Sequence, residues 1–155
     1  AVLGLGEESF DRRFPVEEVS TGLGFFIVPL RGLDALKKAR IDRDRYFSLV
    51  RATATKGILV FCPQGRETGD DLSVRVFVDW FGVPEDPATG SGNGCLAAWL
   101  VKHHFFGNAA IDLRSGQGHE IGRPSRLLLR AEEKEGRIAV SVGGRSITVA
   151  RGEFV

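Results

Sequence analysis

Glu85-Asp86-Pro87-Ala88-Thr89-Gly90-Ser91-Gly92-Asn93-Gly94 is a polar, glycine-rich stretch, and the apolar run Cys95-Leu96-Ala97-Ala98-Trp99-Leu100-Val101 follows it directly. The order predicts a strand exit, a tight turn and then a helix. Because the run is apolar on every side, we expect the helix to be enclosed by other elements rather than to lie on the surface. The stretch therefore predicts a curled sheet around a central helix.

The polar end of this helix is a candidate binding site. A helix N-terminus has unpaired backbone N–H groups and a partial positive charge, so it suits a carboxylate, a phosphate or a developing oxyanion. Asp86, Thr89 and Ser91 lie in the adjoining turn. A simpler alternative stays open at this point, namely that Ser91 or Asn93 only caps the helix.

Composition restricts the function classes. The chain has 155 residues, 43% of them hydrophobic, which suits one domain with a proper core. Lys and Arg number 21 against 20 Asp and Glu, with no basic stripe, so nucleic acid is not favoured. No segment resembles a membrane span, and two cysteines in apolar runs suit a reducing, cytoplasmic setting. Since Met is absent even at position one, we expect a processed chain, a fragment or a trimmed chain.

The remaining pattern predicts an α+β fold, with a mixed, mostly antiparallel sheet curled around a buried central helix. Residues 1–18 are interpreted as a lead-in or linker and 19–155 as the domain. The predicted strands are 25–30, 57–62, 72–80, 109–114, 126–132, 137–142 and 145–150, with a Gly143-Gly144 hairpin before the last. The predicted outer helices are 33–39 and 42–52.

Several motifs in order resemble the phenazine-biosynthesis-like (PhzF-like) family of the diaminopimelate-epimerase-like superfamily. The central string is Glu85-Asp86-Pro87-Ala88-Thr89-Gly90-Ser91. The others are Arg75-x-Phe77, Leu96-Ala97-Ala98-x-Leu100, Gln117-Gly118, Gly122-Arg123-Pro124-Ser125 and Val142-Gly143-Gly144. The resemblance runs from about residue 19 to residue 152.

The resemblance implies that this chain is the C-terminal domain of a two-domain protein whose substrate lies between the domains. The missing N-terminal domain would bring a catalytic glutamate and a Gly-His-Pro motif, and no such motif occurs here. None of His103, His104 and His119 has the right context to inherit that histidine's role. A homodimer is also implied.

The resemblance also implies roles for individual residues. Asp86 and Ser91 would be catalytic, and Thr89, Gly90, Gly92 and Gln117 would bind substrate. Thr89 stands where related epimerases have a catalytic cysteine, so two-thiol epimerisation is not expected; Cys95 is expected in the core.

The implied activity is a cofactor-independent isomerase that moves a proton on a small, carboxylate-bearing substrate, with no metal, no nucleic acid and no membrane involved. As this chain alone would lack the glutamate, it is expected to be inactive by itself. Two alternatives stay open. One is a non-catalytic module that binds small carboxylates, and the other is a structural or interaction domain.

Overall fold

A computed structural model describes residues 2–155. It contains one eight-stranded sheet and three α-helices. The strands are β1 (Glu17–Ser20), β2 (Gly24–Pro29), β3 (Gly57–Cys62), β4 (Leu72–Val78), β5 (Val83–Asp86), β6 (Ala110–Gln117), β7 (Ser125–Lys134) and β8 (Arg137–Gly144). The helices are α1 (Leu33–Lys38), α2 (Arg43–Ala52) and α3 (Gly90–Lys102), and short 3₁₀ turns lie at Glu7–Ser9, Asp79–Phe81 and His119–Ile121.

The sheet is mixed and mostly antiparallel. Its strand order is β1-β2-β3-β4-β6-β7-β8, and β5 pairs with β4 beside this path. The pairs β2/β3 and β4/β6 are parallel, and the other pairs are antiparallel. The parallel pairs need crossover connections, which α1 and α2 provide between β2 and β3, and α3 provides between β4 and β6. The α+β fold expected from the sequence is confirmed.

Helix α3 lies inside the curl of the sheet. It contacts β1, β2, β3, β6, β7 and β8, and its side chains Cys95, Leu96, Trp99 and Leu100 have no solvent exposure. Its all-round apolar surface explains this position, because each of its faces meets a strand. The predicted enclosed helix is therefore confirmed.

Helices α1 and α2 cover the outer face of the central strands. They form a second apolar cluster with Val28, Val60 and Phe77, while Phe61 and Val76 belong to the cluster around α3. As a result, every residue of β4 is buried, although its alternating sequence would also suit a strand with one wet face.

The start of α3 differs from the expectation. Gly90, Gly92 and Gly94 were predicted to form a turn, but all three lie in the helix, and none has a positive φ. Their small size serves packing instead. A Cβ on Gly92 would lie only 3.2 Å from the Thr89 methyl group and 3.3 Å from Leu59. The helix N-cap is Thr89, so the proposed caps Ser91 and Asn93 are wrong.

The C-terminal end also differs. Gly143 and Gly144 continue β8, paired with β7, so the predicted two-residue hairpin is wrong. The predicted last strand, 145–150, is wrong as well: residues 145–155 have no regular secondary structure and are exposed. A strand needs a partner for its backbone groups, and among residues 2–155 none pairs with this segment.

Residues 2–10, which belong to the expected lead-in or linker, pack against the outer layer. Leu3 is buried in the second cluster, and its carbonyl accepts a hydrogen bond from the Arg40 N–H at 2.9 Å. Phe10 bridges to Leu30 beside β2. Residues 2–10 thus add apolar cover to the α1 and α2 side of the sheet, whereas Phe14 packs against Trp99 and Phe105 in the cluster around α3.

Candidate active site

The candidate site lies where β5 gives way to α3. Pro87 and Ala88 connect Asp86, the last residue of β5, to the N-cap Thr89. Val76 of β4 pairs with Asp86 in the sheet, so the central strands fix the position of its backbone. The site is therefore built on rigid elements rather than on a long loop.

Arg75 holds the residue before Asp86. Its guanidinium donates to both carboxylate oxygens of Glu85, at 2.9 and 2.7 Å, and both side chains are more than nine-tenths buried. It also donates to the backbone carbonyls of Leu36 and Ala39 at the end of α1, at 3.0 and 2.8 Å. Neighbouring residues on a strand point to opposite faces, so Glu85 is drawn toward Arg75 and Asp86 is left for the other side.

The side chain of Asp86 accepts a hydrogen bond from the Thr89 hydroxyl. Asp86 is half-buried, and Thr89 is 8% exposed. Thr89 does not use its hydroxyl to cap α3, and the described residues offer no other side-chain cap. The first intrahelical bond runs from the Asn93 N–H to the Thr89 carbonyl at 3.0 Å. The N–H groups before it have no partner within the helix.

Of these residues, Gly90 and Ser91 are exposed, whereas Gly92 is buried. The exposed end of a 13-residue helix thus offers backbone donors and the positive end of the dipole beside a carboxylate. Such an arrangement can bind a small anion at Gly90 and Ser91 and place Asp86 next to it.

A groove of about 800 Å³ begins at Ala88 and Gly90. It continues along the loop after β6 and along β7 and β8, where Ser125, Arg126, Leu128 and Gly144 line it. The groove is large enough for a small metabolite. Its walls are mixed, with polar groups from the loop and apolar ones from the strands.

Gln117 is the last residue of β6, beyond the predicted strand 109–114, and it is completely buried beside Thr89. Asp86, Thr89 and Gln117 therefore come together. Gly90 and Ser91 follow Thr89 in the first turn of α3. The sequence suggested Asn93 only as a helix cap, but this residue is fully buried and its amide reaches both Thr89 and Gln117. Its signal was a polar residue four positions after Thr89 in an otherwise apolar helix.

The cysteines and histidines are not part of this hydrogen-bonded group. Cys95 is completely buried and its sulfur is 3.5 Å from the Leu23 carbonyl, so the expected core position is confirmed. Burial raises the pKa of the Cys62 thiol to about 11. His103 and Glu17 pair at 2.7 Å at the opposite end of α3. His119 and Glu67 pair at 2.9 Å at the edge of the groove.

One cluster could offer ligand atoms to a metal ion. Glu67, Asp70 and His119 hold oxygen and nitrogen atoms within 4.8 Å of one another. Arg126, however, already donates to Asp70 at 2.6 Å. A guanidinium at this distance neutralises the charge that would attract a cation, so the group is satisfied as an ion-pair cluster. Over residues 2–155, no helix is both long and apolar enough to cross a membrane.

A profile of the family described as phenazine biosynthesis-like protein matches residues 1–152. The chain belongs to this family. It is 36% identical over 148 residues to trans-2,3-dihydro-3-hydroxyanthranilate isomerase of Pseudomonas fluorescens, covering 94% of this chain and 49% of that protein. It is 26% identical over 156 residues to an uncharacterized isomerase of Clostridium acetobutylicum, covering 99% of this chain and 52% of that protein.

The fold agrees with a solved member of the family. A phenazine biosynthesis protein of the PhzF family from Bacillus anthracis superposes with a TM-score of 0.81 at 22% identity, over 92% of this chain and 49% of that one. This likeness concerns the fold. The chain thus spans about half the length of the relatives that it matches.

Proposed function

We propose that this chain is the C-terminal half of a cofactor-independent isomerase that moves a proton on a small, carboxylate-bearing molecule. The observation that carries the proposal is the uncapped N-terminus of α3 beside Asp86. Relatives in the same family are named isomerases, and one of them is named for a dihydro-hydroxyanthranilate, which carries a carboxylate.

In this proposal, the N–H groups of Gly90 and Ser91 hold the substrate carboxylate. Asp86 then faces the neighbouring part of the substrate and positions or passes on a proton. Ser91 adds a hydroxyl beside the same anion. A positioned acid or base of this kind contributes about 10²–10⁴-fold to a rate.

The general base is proposed to be a glutamate on an N-terminal half of similar size. The half-length match supports this, since this chain covers 49% of the Pseudomonas fluorescens relative and the other 51% of that protein lies outside the match. Exposed apolar side chains also support it. Ile147 and Val149 are 78% and 94% exposed, and exposed apolar segments mark contact surfaces. This chain alone is expected to bind but not to turn over substrate.

A homodimer is a separate proposal that rests on the family resemblance. Sedimentation equilibrium of the complete protein tests it, because a dimer and a monomer differ twofold in mass.

The catalytic proposal is tested with the complete protein that contains this chain. Trans-2,3-dihydro-3-hydroxyanthranilate and a panel of small amino and hydroxy carboxylates are incubated in D₂O, and deuterium uptake is followed by mass spectrometry and NMR. We expect uptake into at least one of them. The Asp86→Asn variant should lose about 10²–10⁴-fold of that rate.

Asp112→Asn is the matched control, because Asp112 is an exposed carboxylate that pairs with Arg130 on the outer surface. The Asp112→Asn variant should catalyse deuterium uptake into the substrate at the wild-type rate. Carboxylate binding without any exchange would indicate a binding module instead, and an Asp86→Asn variant as active as Asp112→Asn would remove Asp86 from the mechanism.

A further inference from the structure

Gln117 uses its whole hydrogen-bonding capacity inside the protein. Its Nε2 donates to the Asp86 carbonyl at 2.5 Å and to the Thr89 hydroxyl oxygen at 2.9 Å. Its Oε1 accepts from the Thr89 N–H at 3.2 Å and from the Asn93 side-chain amide at 2.8 Å. A side-chain amide has two N–H donors and two lone pairs, so none is left for a substrate.

The orientation of this amide is determined by groups that cannot change roles. A backbone carbonyl, that of Asp86, can only accept, and a backbone N–H, that of Thr89, can only donate. If the Gln117 amide were turned over, its oxygen would face the carbonyl and its NH₂ would face the N–H. Both contacts would then be repulsive, so Gln117 must present an N–H to the Thr89 hydroxyl.

This contact directs the proton of Thr89. The hydroxyl has one proton, and its oxygen already accepts from Gln117, so the proton is free to go to Asp86. Thr89 is the one side-chain donor to the Asp86 carboxylate among residues 2–155. The bond ties down Oδ2 of Asp86 and leaves its other carboxylate oxygen for chemistry.

We infer that Gln117 and Thr89 are positioning residues: through a buried chain of hydrogen bonds of fixed polarity, they set the orientation of the Asp86 carboxylate. Asn93 supports the chain by holding the Gln117 oxygen and the Thr89 carbonyl at once. For Gln117 and Thr89, this positioning role differs from the direct substrate contact that the family resemblance implies. Its consequence for turnover rests on the proposed function.

Thr89→Val tests the inference, because valine keeps the shape and removes the hydroxyl. Thr89→Ser restores the hydroxyl without the methyl group. In the complete protein, we expect Thr89→Val to lower kcat about 10–100-fold with KM changed less than about threefold, since a misplaced catalytic group costs about this much. Thr89→Ser should recover most of kcat.

Ser115→Ala is the matched control. Ser115 lies two residues before Gln117 on β6, is completely buried, and its hydroxyl has no partner among the described residues. Loss of this hydroxyl should leave kcat and KM unchanged. A Thr89→Val variant that keeps the wild-type kcat, or that loses only affinity, would overturn the inference, since loss of affinity alone indicates direct substrate contact.

A second measurement does not depend on activity. In ¹⁵N-labelled complete protein, the side-chain N–H protons of Gln117 should exchange slowly with D₂O, because both are bonded in a buried site. Thr89→Val should speed exchange of one of them about tenfold or more, whereas Thr89→Ser and Ser115→Ala should not. Unchanged exchange in Thr89→Val would contradict the hydrogen-bond chain.

The two failures are distinguishable. If the wild-type protein exchanges no substrate proton but the Gln117 protons respond as expected, the proposed function is wrong and the positioning chain stands. If the wild-type protein turns over substrate and Thr89→Val is equally active, the function stands and the positioning role is wrong.

Discussion

The buried ion pair of Arg75 and Glu85 should make a large contribution to the stability of this chain. Arg75 is 5% exposed as a side chain and Glu85 is 9% exposed, and four hydrogen bonds leave the guanidinium. Replacing Arg75 by Met would leave a carboxylate buried without its cation, and two carbonyls at the end of α1 would lose a donor. Breaking a buried pair in this way costs about 3–5 kcal/mol.

That loss is a large fraction of the roughly 5–15 kcal/mol that stabilises a typical domain. With an m-value of about 2 kcal/mol/M, the urea midpoint of Arg75→Met should fall by roughly 2 M. Unfolding can be followed through the fluorescence of Trp99, which is completely buried, and checked by circular dichroism. Coincident transitions would show that the free energies of unfolding can be compared.

The double variant Arg75→Met/Glu85→Leu separates the pair from its surroundings. Replacing both charges by apolar groups removes the unpaired carboxylate, so the double variant should lose less than the sum of the two single losses. Arg130→Met is the matched control, because its pair with Asp112 is exposed and should contribute less than about 1 kcal/mol. The reasoning would be refuted if Arg75→Met behaved like Arg130→Met, or if the two buried substitutions were simply additive.

Three further predictions concern single residues. Gly118→Ala should lower the urea midpoint much more than Gly122→Ala. Both glycines have positive φ, but a Cβ on Gly118 would collide with the Arg123 carbonyl, whereas one on Gly122 meets no atom within 4 Å. Equal losses would contradict this steric reason and leave backbone strain as the cause of both. Hydrogen bonds from Lys102 and, to a smaller extent, from His103 hold the pKa of Glu17 below its ordinary value of 4.5. The stabilisation that Glu17 gives is therefore complete above pH 4.5 and is lost as the pH falls through the lowered pKa. The urea midpoint of Glu17→Gln should therefore depend less on pH in this acidic range than that of the wild type, and parallel curves would contradict the assignment. Since burial raises the pKa of Cys62 to about 11, its thiol should stay protonated at pH 8 and react with iodoacetamide only after unfolding; rapid labelling of the native chain at Cys62 would contradict its burial.

The sequence predicted the parts of the site that are formed by neighbouring residues in the chain, and it missed the contacts between residues far apart in the chain. The string from Glu85 to Ser91 is continuous, so the sequence could predict an anion-binding helix start next to a carboxylate. Gln117 was singled out as well, but as a substrate contact. Its four hydrogen bonds join β6 to residues 24 to 31 positions away, and such pairings depend on which strands become neighbours. The roles of Asn93 and Arg75 depended on the same strand order.

At the C-terminal end, the local sequence predicted a strand that the structure does not contain. The segment 145–150 has the β-branched alternation of a strand, and the prediction of a strand followed from it. Composition reports only that a segment fits a sheet; whether a partner is present is decided by the rest of the fold. In this chain β8 continues through Gly143 and Gly144 in pairing with β7, and no described strand pairs with the residues that follow.

The sequence by itself determined the fold class, the enclosed helix and the family, because these follow from local patterns of apolar residues and from one uninterrupted motif. The tertiary structure decided which polar groups meet. It placed the helix start at Gly90 rather than at Cys95, buried Arg75 against Glu85, and surrounded Gln117 with four partners. The physical reason is that apolar burial depends on periodicity along the chain, whereas hydrogen-bond partners depend on distances between residues that lie far apart in it.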